Sequence, residues 1–332
     1  MTETFLASLI DKDANGAIGH SLRHIPQPSP EQDEVLVKVA FSSLNYKDAL
    51  VYRGHPGIVR HYPHAPGIDA AGTIVRSGNS HFAEGTAVIV TGFGLGTAIW
   101  GGHAEYISVP ANWLVPLPSP MSLTESMALG TAGFTAALCV DALLRHDIRP
   151  EQGEILVSGA SGGVGSVAVA LLAQLGFRVA ALTRKTELDD YFQLLGAART
   201  VHPAELTTAP ERALHKEVWA GAIDTLGGDT LSAMLKGVRY GGTVAACGMA
   251  ENSSFSSTVF PFILRGVNLL GIDSVEYPQS KRAAIWQKLA NEWRLPQLQS
   301  VTQMVGLPEI KTAAEEMLAG ARTGRTVVAI QA

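Results

Sequence analysis

The chain has 332 residues, 46% hydrophobic and 17% charged, enough to bury a sizeable core and, at this length, in keeping with two domains rather than one. Its net charge of −5 gives no general attraction to nucleic acid or anionic lipid, so recognition of phosphate has to be local. Two cysteines, Cys139 and Cys247, each inside an apolar run, exclude a disulfide framework and a cysteine-based zinc cluster, and the cytoplasm is the default compartment.

The opening "MTETFLASLIDKD" is acidic and carries no cleavage pattern, so it does not read as a secretory signal. The first third then holds short alternating or β-branched runs between Gly and Pro: "EVLVKVAFSSL" from Glu34, "AGTIVRSG" from Ala71 and "TAVIVTG" from Thr86. That pattern predicts antiparallel strands. Pro116, Pro118 and Pro120 mark a linker, and Ser122 followed by Glu125 predicts a capping box, placing a domain boundary near Leu123. The apolar stretch Met127–Val140 is broken by Gly130, Thr131 and Thr135 and falls short of the roughly 20 residues a bilayer requires, so a buried helix is expected.

From Ile155 the apolar runs "ILVSG", "RVAAL", "AGAIDTLG" and "GTVAACG" alternate with helix-length segments, the signature of βαβ units on a doubly wound parallel sheet. "VNLLGIDSV" from Val267 reads as a last strand. The amphipathic "KRAAIWQKLANEW" and "IKTAAEEMLAG" predict helices before a final strand "TVVAI" from Thr326.

The chemistry centres on "ILVSGASGGVGSVAVALLAQLG", a strand, a glycine loop and a helix in that order. Gly159, Gly162 and Gly165 permit a tight turn, close backbone approach to a pyrophosphate and close packing of helix on sheet. The candidate cradle is therefore Gly159, Ser161, Gly162, Gly163, Val164 and Gly165, spaced G-x-x-G-x-x-G. At the end of the next strand, where a carboxylate would accept the adenosine ribose hydroxyls of NAD, the chain offers Thr183, Arg184 and Lys185. Two cations with no carboxylate favour a 2′-phosphate, so NADPH is the expected cofactor, with Thr183 and Arg184 as its contacts. The competing reading is an ordinary surface pair of cations at a strand end.

Taken together, "SSLNYKDAL", "APGIDAAGTIV", "WGGHAEY", "GTAGFTAAL", "SGASGGVGS", "AIDTLGG", "PFILRGVNLLGIDSV" and "GRTVV" resemble the medium-chain dehydrogenase/reductase superfamily over the whole chain, in its zinc-independent quinone oxidoreductase and acryloyl-CoA reductase branch. The resemblance implies an α/β protein with a β-rich GroES-like catalytic domain, residues 1–123 and 272–332, and a Rossmann NADP-binding domain, residues 124–271. Where zinc-dependent members carry Cys, Gly-His-Glu and Cys, this chain has Asn45, then Gly67, Ile68 and Asp69, then Thr131. Asn and Thr are weak ligands and Ile cannot coordinate, so no metal is expected. His55, His61 and His64 form a second candidate cluster, read as a solvated loop.

The resemblance further implies hydride addition to a conjugated double bond, with NADPH reducing a short enoyl-CoA, acryloyl-CoA to propanoyl-CoA, and with quinones or other enones as the alternative substrates. A non-catalytic NADPH-binding protein, as among lens crystallins, is the reading from another class. Asn45 and Thr131 are expected beside the nicotinamide, and Tyr46 near the substrate carbonyl or protonated carbon, unless it is a packed aromatic. Asp48 is expected to be a hydrogen-bond acceptor holding its loop rather than an acid. The related mitochondrial enoyl reductases carry a catalytic Tyr after a Gly in this region, whereas Gly54 here is followed by His55 and Pro56. Cys247 and Gly248 are expected near the carboxamide, with Cys247 a small buried hydrophobe, and Arg325 at a cofactor phosphate or in a surface ion pair. Arg184 and Arg265 are candidates for CoA phosphates. The partner is a small-molecule thioester or enone, with neither nucleic acid nor membrane, and a homodimer is expected through "VNLLGIDSV".

Overall fold

The computed structural model describes residues 3–207 and 212–330. The chain forms two compact units, residues 1–131 with 275–332 and residues 132–274.

The first unit opens with an antiparallel hairpin of β1 (Thr4–Lys12) and β2 (Ile18–Pro26). Next come β3 (Glu34–Ser43), the short helix α1 (Tyr46–Tyr52), β4 (Asp69–Ser77), β5 (Ala87–Thr91), β6 (Tyr106–Pro110) and β7 (Leu114–Pro116). Strand β3 is central, pairing antiparallel with both β4 and β6. Val35, Val37 and Val39 share one core with Val88, Val90 and Val109 of the same sheet, and Leu36 and Ile89, on the opposite face, are buried as well.

Ser122 and Glu125 form the expected capping box: Glu125 accepts from the Ser122 amide at 2.8 Å and Ser122 Oγ accepts from the Glu125 amide at 3.1 Å. It opens α2 (Leu123–Arg145), which is long and apolar enough to cross a bilayer but has 83% of its most apolar window buried in the protein. Gly130 interrupts this helix with φ 52° and ψ −156°, and the two units meet in sequence just beyond it, inside the helical run rather than ahead of it near Leu123.

The second unit continues through β8 (Glu154–Val157), α3 (Gly163–Gln174), β9 (Val179–Leu182), α4 (Asp189–Leu194), β10 (Arg199–Val201) and α5 (Pro203–Thr207). It ends with β11 (Trp219–Asp224), α6 (Gly228–Gly237), β12 (Val238–Ala246), α7 (Phe260–Arg265) and β13 (Asn268–Gly271). These strands form a six-stranded parallel sheet in the order β10-β9-β8-β11-β12-β13. That is the doubly wound order, with the reversal of direction between β8 and β11. One rung runs Ala180, Leu156, Ala222, Val244 and Leu269 across five strands, and its apolar character follows from helices covering both faces. The three-residue β10 is too short to leave a pattern in the sequence.

The chain then returns to the first unit with α8 (Gln279–Ala290), β14 (Thr302–Gly306), α9 (Ile310–Leu318) and β15 (Arg325–Ala329). Strand β15 pairs with the end of β3, and this pairing brings Arg325 to the segment that carries Asn45.

Candidate active site

In the first unit the site grows from the end of β3. Asn45 caps α1, and its amide N–H donates to Asp48 Oδ2 at 2.9 Å. The other Asp48 oxygen accepts from the amides of Gly67 at 3.1 Å and Ile68 at 2.9 Å, so one carboxylate ties the helix start to the start of β4. This is the acceptor role expected of Asp48, but its environment differs from the expectation: the side chain is fully buried. Burial, reinforced by the charge of Asp69, pushes its carboxyl up to about 7 against three N–H donors that favour the ionised form.

Asp69 is the hub of the site. Its Oδ2 accepts from Ser43 Oγ, from Asn45 Nδ2 at 2.7 Å and from the Thr131 amide at 2.9 Å, and its Oδ1 accepts from Thr131 Oγ1 at 2.5 Å. Arg325 is 2% exposed, and its Nε donates to the Ala128 carbonyl at 2.8 Å and a terminal nitrogen to Asn45 Oδ1 at 3.4 Å. That burial rules out a surface ion pair for Arg325. Gly130 makes room for this cluster: a Cβ there would stand 2.5 Å from Asp69 Oδ2, 2.5 Å from Ser43 Oγ and 2.9 Å from a terminal nitrogen of Arg325. Asn45 and Thr131, expected beside the nicotinamide, donate from Asn45 Nδ2 and from the Thr131 N–H and Oγ1 to Asp69, while Asn45 Oδ1 accepts from Arg325. Tyr46 is different: at 49% exposure it is not a packed aromatic, and its ring stands on the open side of α1.

A second polar chain holds the end of β3 from behind. A carbonyl only accepts, so the 3.2 Å contact of His103 Nε2 with the Ser43 carbonyl places the ring proton on Nε2 and leaves Nδ1 to accept from Tyr52 Oη at 3.1 Å. The Tyr52 oxygen in turn accepts from Ser8 Oγ at 2.7 Å, and Ser8 accepts from His20 Nε2 at 2.9 Å. Every donor points the same way. Burial pushes His103 down to about 3 and, with the charge of Lys311, lowers His20, so both rings are neutral near pH 7. Of Ser8, His20, Tyr52 and His103, only His103, within "WGGHAEY", belongs to a segment that carries the family resemblance, and no role was expected of it.

In the second unit the glycine loop leaves β8 at the reversal point of the sheet. Gly159 has φ 56° and lies where a side chain would overlap Thr225 Oγ1; a Cβ on Gly165 would overlap the Gly159 carbonyl and stand 2.7 Å from Ala160 Cα. Gly162 caps α3 with an extended backbone, and Gly163, Val164 and Gly165 form its first turn, where amide groups have no partners within the helix. Ser161 is half-exposed in the same loop. This is the shape a dinucleotide pyrophosphate needs: backbone N–H groups at a helix start with no Cβ in the way.

Thr183 is buried at the end of β9, its Oγ1 accepting from the Lys185 amide at 3.0 Å, while Arg184 is exposed. Across the switch point, buried Asp224 accepts from Ser158 Oγ at 2.7 Å and from the Gly227 amide at 2.8 Å, locking β8 to β11; burial raises its carboxyl. Cys247 is half-buried rather than enclosed. Its thiol donates to the Asp224 carbonyl at 3.4 Å and lies beside Cys139, whose pKa is raised by that neighbour and by burial. Gly248 passes so near the Thr225 carbonyl that no side chain fits.

Two sequence expectations change. Arg265 is not available to a CoA phosphate: its guanidinium donates to the carbonyls of Lys236 at 2.9 Å, Val238 at 3.1 Å and His215, and it pairs with Glu217. His64 is not part of a solvated loop, since it is 3% exposed and its backbone pairs in both directions with Ile10. Among the described residues no three His, Cys, Asp or Glu side chains converge as a metal-binding group.

The chain matches the alcohol dehydrogenase GroES-like domain over residues 31–119 and the zinc-binding dehydrogenase domain over residues 163–291. With a β-rich unit, a doubly wound nucleotide-binding sheet and a hydrogen-bonded cluster at the metal-ligand positions, it belongs to the zinc-independent medium-chain dehydrogenase/reductase family. It is 42% identical over 99% of its length to the complete acrylyl-CoA reductase AcuI of Ruegeria pomeroyi. It is 43% identical, over 99% of each chain, to Bacillus subtilis YhfP, provisionally named a quinone oxidoreductase. The crystal structure of YhfP with NAD bound superposes with a TM-score of 0.95 over 99% of this chain and 100% of that one. The yhdH oxidoreductase of Salmonella enterica in complex with NADP, 43% identical, superposes with a TM-score of 0.94 over 98% of this chain and 100% of that one.

Proposed function

We propose that this chain reduces the conjugated C=C of a short enoyl-CoA, converting acryloyl-CoA to propanoyl-CoA with NADPH and without a metal. The observation that carries the reading is the Asp69 cluster. At the positions where zinc-dependent relatives hold a metal, Asn45 and Thr131 donate to the buried Asp69 carboxylate, Asn45 Oδ1 accepts from Arg325, and Ile68 offers no donor atom. Alkoxide stabilisation by a Lewis acid therefore has no ligand set, whereas reduction of an activated double bond does not need one. The full-length likeness to AcuI supports the thioester substrate.

When bound, NADPH supplies a hydride to the β-carbon of the substrate. The residues of the glycine loop bind the pyrophosphate through backbone N–H groups, and Thr183 and Arg184 take the 2′-phosphate. The negative charge that builds on the thioester oxygen requires a preorganised donor, and the exposed Tyr46 hydroxyl is the side-chain donor at the start of α1. Asp48 and Asp69 fix the backbone that presents it. The protein works in the cytoplasm, whose reducing character suits two free thiols. It forms a homodimer through β13, an edge strand flanked by the exposed Val259, Phe260, Ile263 and Leu264, which would otherwise invite association.

The test is NADPH oxidation measured with acryloyl-CoA, crotonyl-CoA, free acrylate and a benzoquinone. A kcat/KM for acryloyl-CoA well above the others is expected. A preference for the quinone would replace this reading with that of a quinone oxidoreductase.

A further inference from the structure

The segment between α1 and β4, residues 53–68, contains Arg53, His55, Arg60, His61 and His64 and not one carboxylate, in a chain whose net charge is −5. Arg53, His55, Arg60 and His61 are all exposed, and among the described residues neither arginine side chain makes an ion pair or hydrogen bond. The backbone beneath them is fixed. Gly54, with φ 78°, closes α1 by donating to the Val51 carbonyl at 2.9 Å, and the His55 amide donates to Leu50 at 2.9 Å. Val59 is buried, and His64 is tied to Ile10.

The placement of Arg53 is informative. It follows Tyr46 by seven positions and is still in helical conformation, φ −81° and ψ −10°. Seven residues are nearly two full turns, so Tyr46 and Arg53 share one stripe of α1 with a rise of about 10 Å between them. Both are exposed. The pantetheine arm of coenzyme A, extended, reaches farther than that.

We propose that Arg53 and Arg60, both exposed on the segment between α1 and β4, form the subsite for the phosphate groups of the coenzyme A portion of the substrate. The proposal rests on the thioester reading above. A substrate whose acyl carbonyl lies at Tyr46 runs its arm along α1 and delivers its phosphates to two unpaired guanidinium groups, which suit phosphate oxygens through paired N–H donors. Arg265, engaged by three carbonyls, leaves this role open.

The experiment compares the holoprotein with Arg53→Ala, Arg60→Ala and the double variant, on S-acryloyl-CoA, S-acryloyl-3′-dephospho-CoA and S-acryloyl-pantetheine. Each arginine removed should raise KM for acryloyl-CoA about threefold to tenfold, an exposed charge-assisted contact being weakened by solvent, with kcat and NADPH affinity unchanged. KM for the pantetheine thioester should not move, and the dephospho thioester shows which phosphate is held. KM for acryloyl-CoA should also rise with salt in the parent and less so in the double variant. An unchanged KM for acryloyl-CoA in the double variant, or an equal rise for the pantetheine thioester, would overturn the subsite while leaving the function intact. A parent protein that does not turn over acryloyl-CoA at all would overturn the function and the subsite with it.

Discussion

Replacing Asp69 by Asn keeps the size of the side chain and removes both its charge and half of its accepting capacity. The carboxylate takes four donors; an amide in its place keeps its oxygen at the Oδ2 position for Ser43, Asn45 and the Thr131 N–H and turns its nitrogen toward Thr131 Oγ1, whose hydroxyl can rotate to accept. A hydrogen bond to a charged acceptor is worth about 1.5–3 kcal/mol and one to a neutral acceptor about 0.5–1.5 kcal/mol, so each bond kept by the amide loses about 1 kcal/mol. Over the four bonds a loss of about 4 kcal/mol is expected. For a unit of this size that corresponds to a fall in Tm of about 10 °C or more, read by calorimetry. The decisive comparison is the double variant Asp69→Asn/Arg325→Met: with the buried cation gone, it should be less destabilised than the two single changes together by more than about 1 kcal/mol. An Asp69→Asn protein melting within about 2 °C of the parent, or strict additivity of the pair, would refute the cluster as a mutually dependent unit.

Arg184→Ala should weaken NADPH binding about tenfold to a hundredfold and leave NADH binding unchanged, measured by fluorescence titration; equal losses would assign Arg184 to the surface. Tyr46→Phe should lower kcat for acryloyl-CoA roughly tenfold to a thousandfold with NADPH affinity intact, and an unchanged kcat would move the donor role to backbone N–H groups or water. His103 titrates near 3 in the folded protein against 6.5 unfolded, so between those values the unfolded state binds more protons and the stability due to His103 falls as pH drops. The stability advantage of the parent over His103→Gln should therefore shrink as pH falls below 6.5; Asp48, which titrates near 7 and acts in the opposite direction, is common to both and cancels. Urea midpoints from pH 7.5 to 4.5 test this, and a constant difference would count against a neutral buried His103.

The parallel sheet and its nucleotide loop were legible in the sequence, because both are local. A buried strand shows as a continuous apolar run, a capping box as Ser122 with Glu125, and the loop as glycines at positions where no Cβ fits, all within a few residues of one another. The family resemblance further implied that Asn45, Ile68 and Thr131 stand where zinc-dependent members carry ligands. What replaced them could not be read there. Asp69, Thr131 and Arg325 are separated by tens to hundreds of positions, and only the pairing of β15 with β3 and the break at Gly130 bring them to one buried point. The same holds for the chain from His20 through Ser8 and Tyr52 to His103, whose members belong to four segments without a shared motif. Arg265 and Arg53 carry the lesson in its simplest form. Each is a lone arginine near the end of an apolar helix, and burial against three carbonyls engages the first while solvent leaves the second open. A hydrogen bond between distant residues has no period and no spacing; tertiary packing decides which polar groups remain available for chemistry.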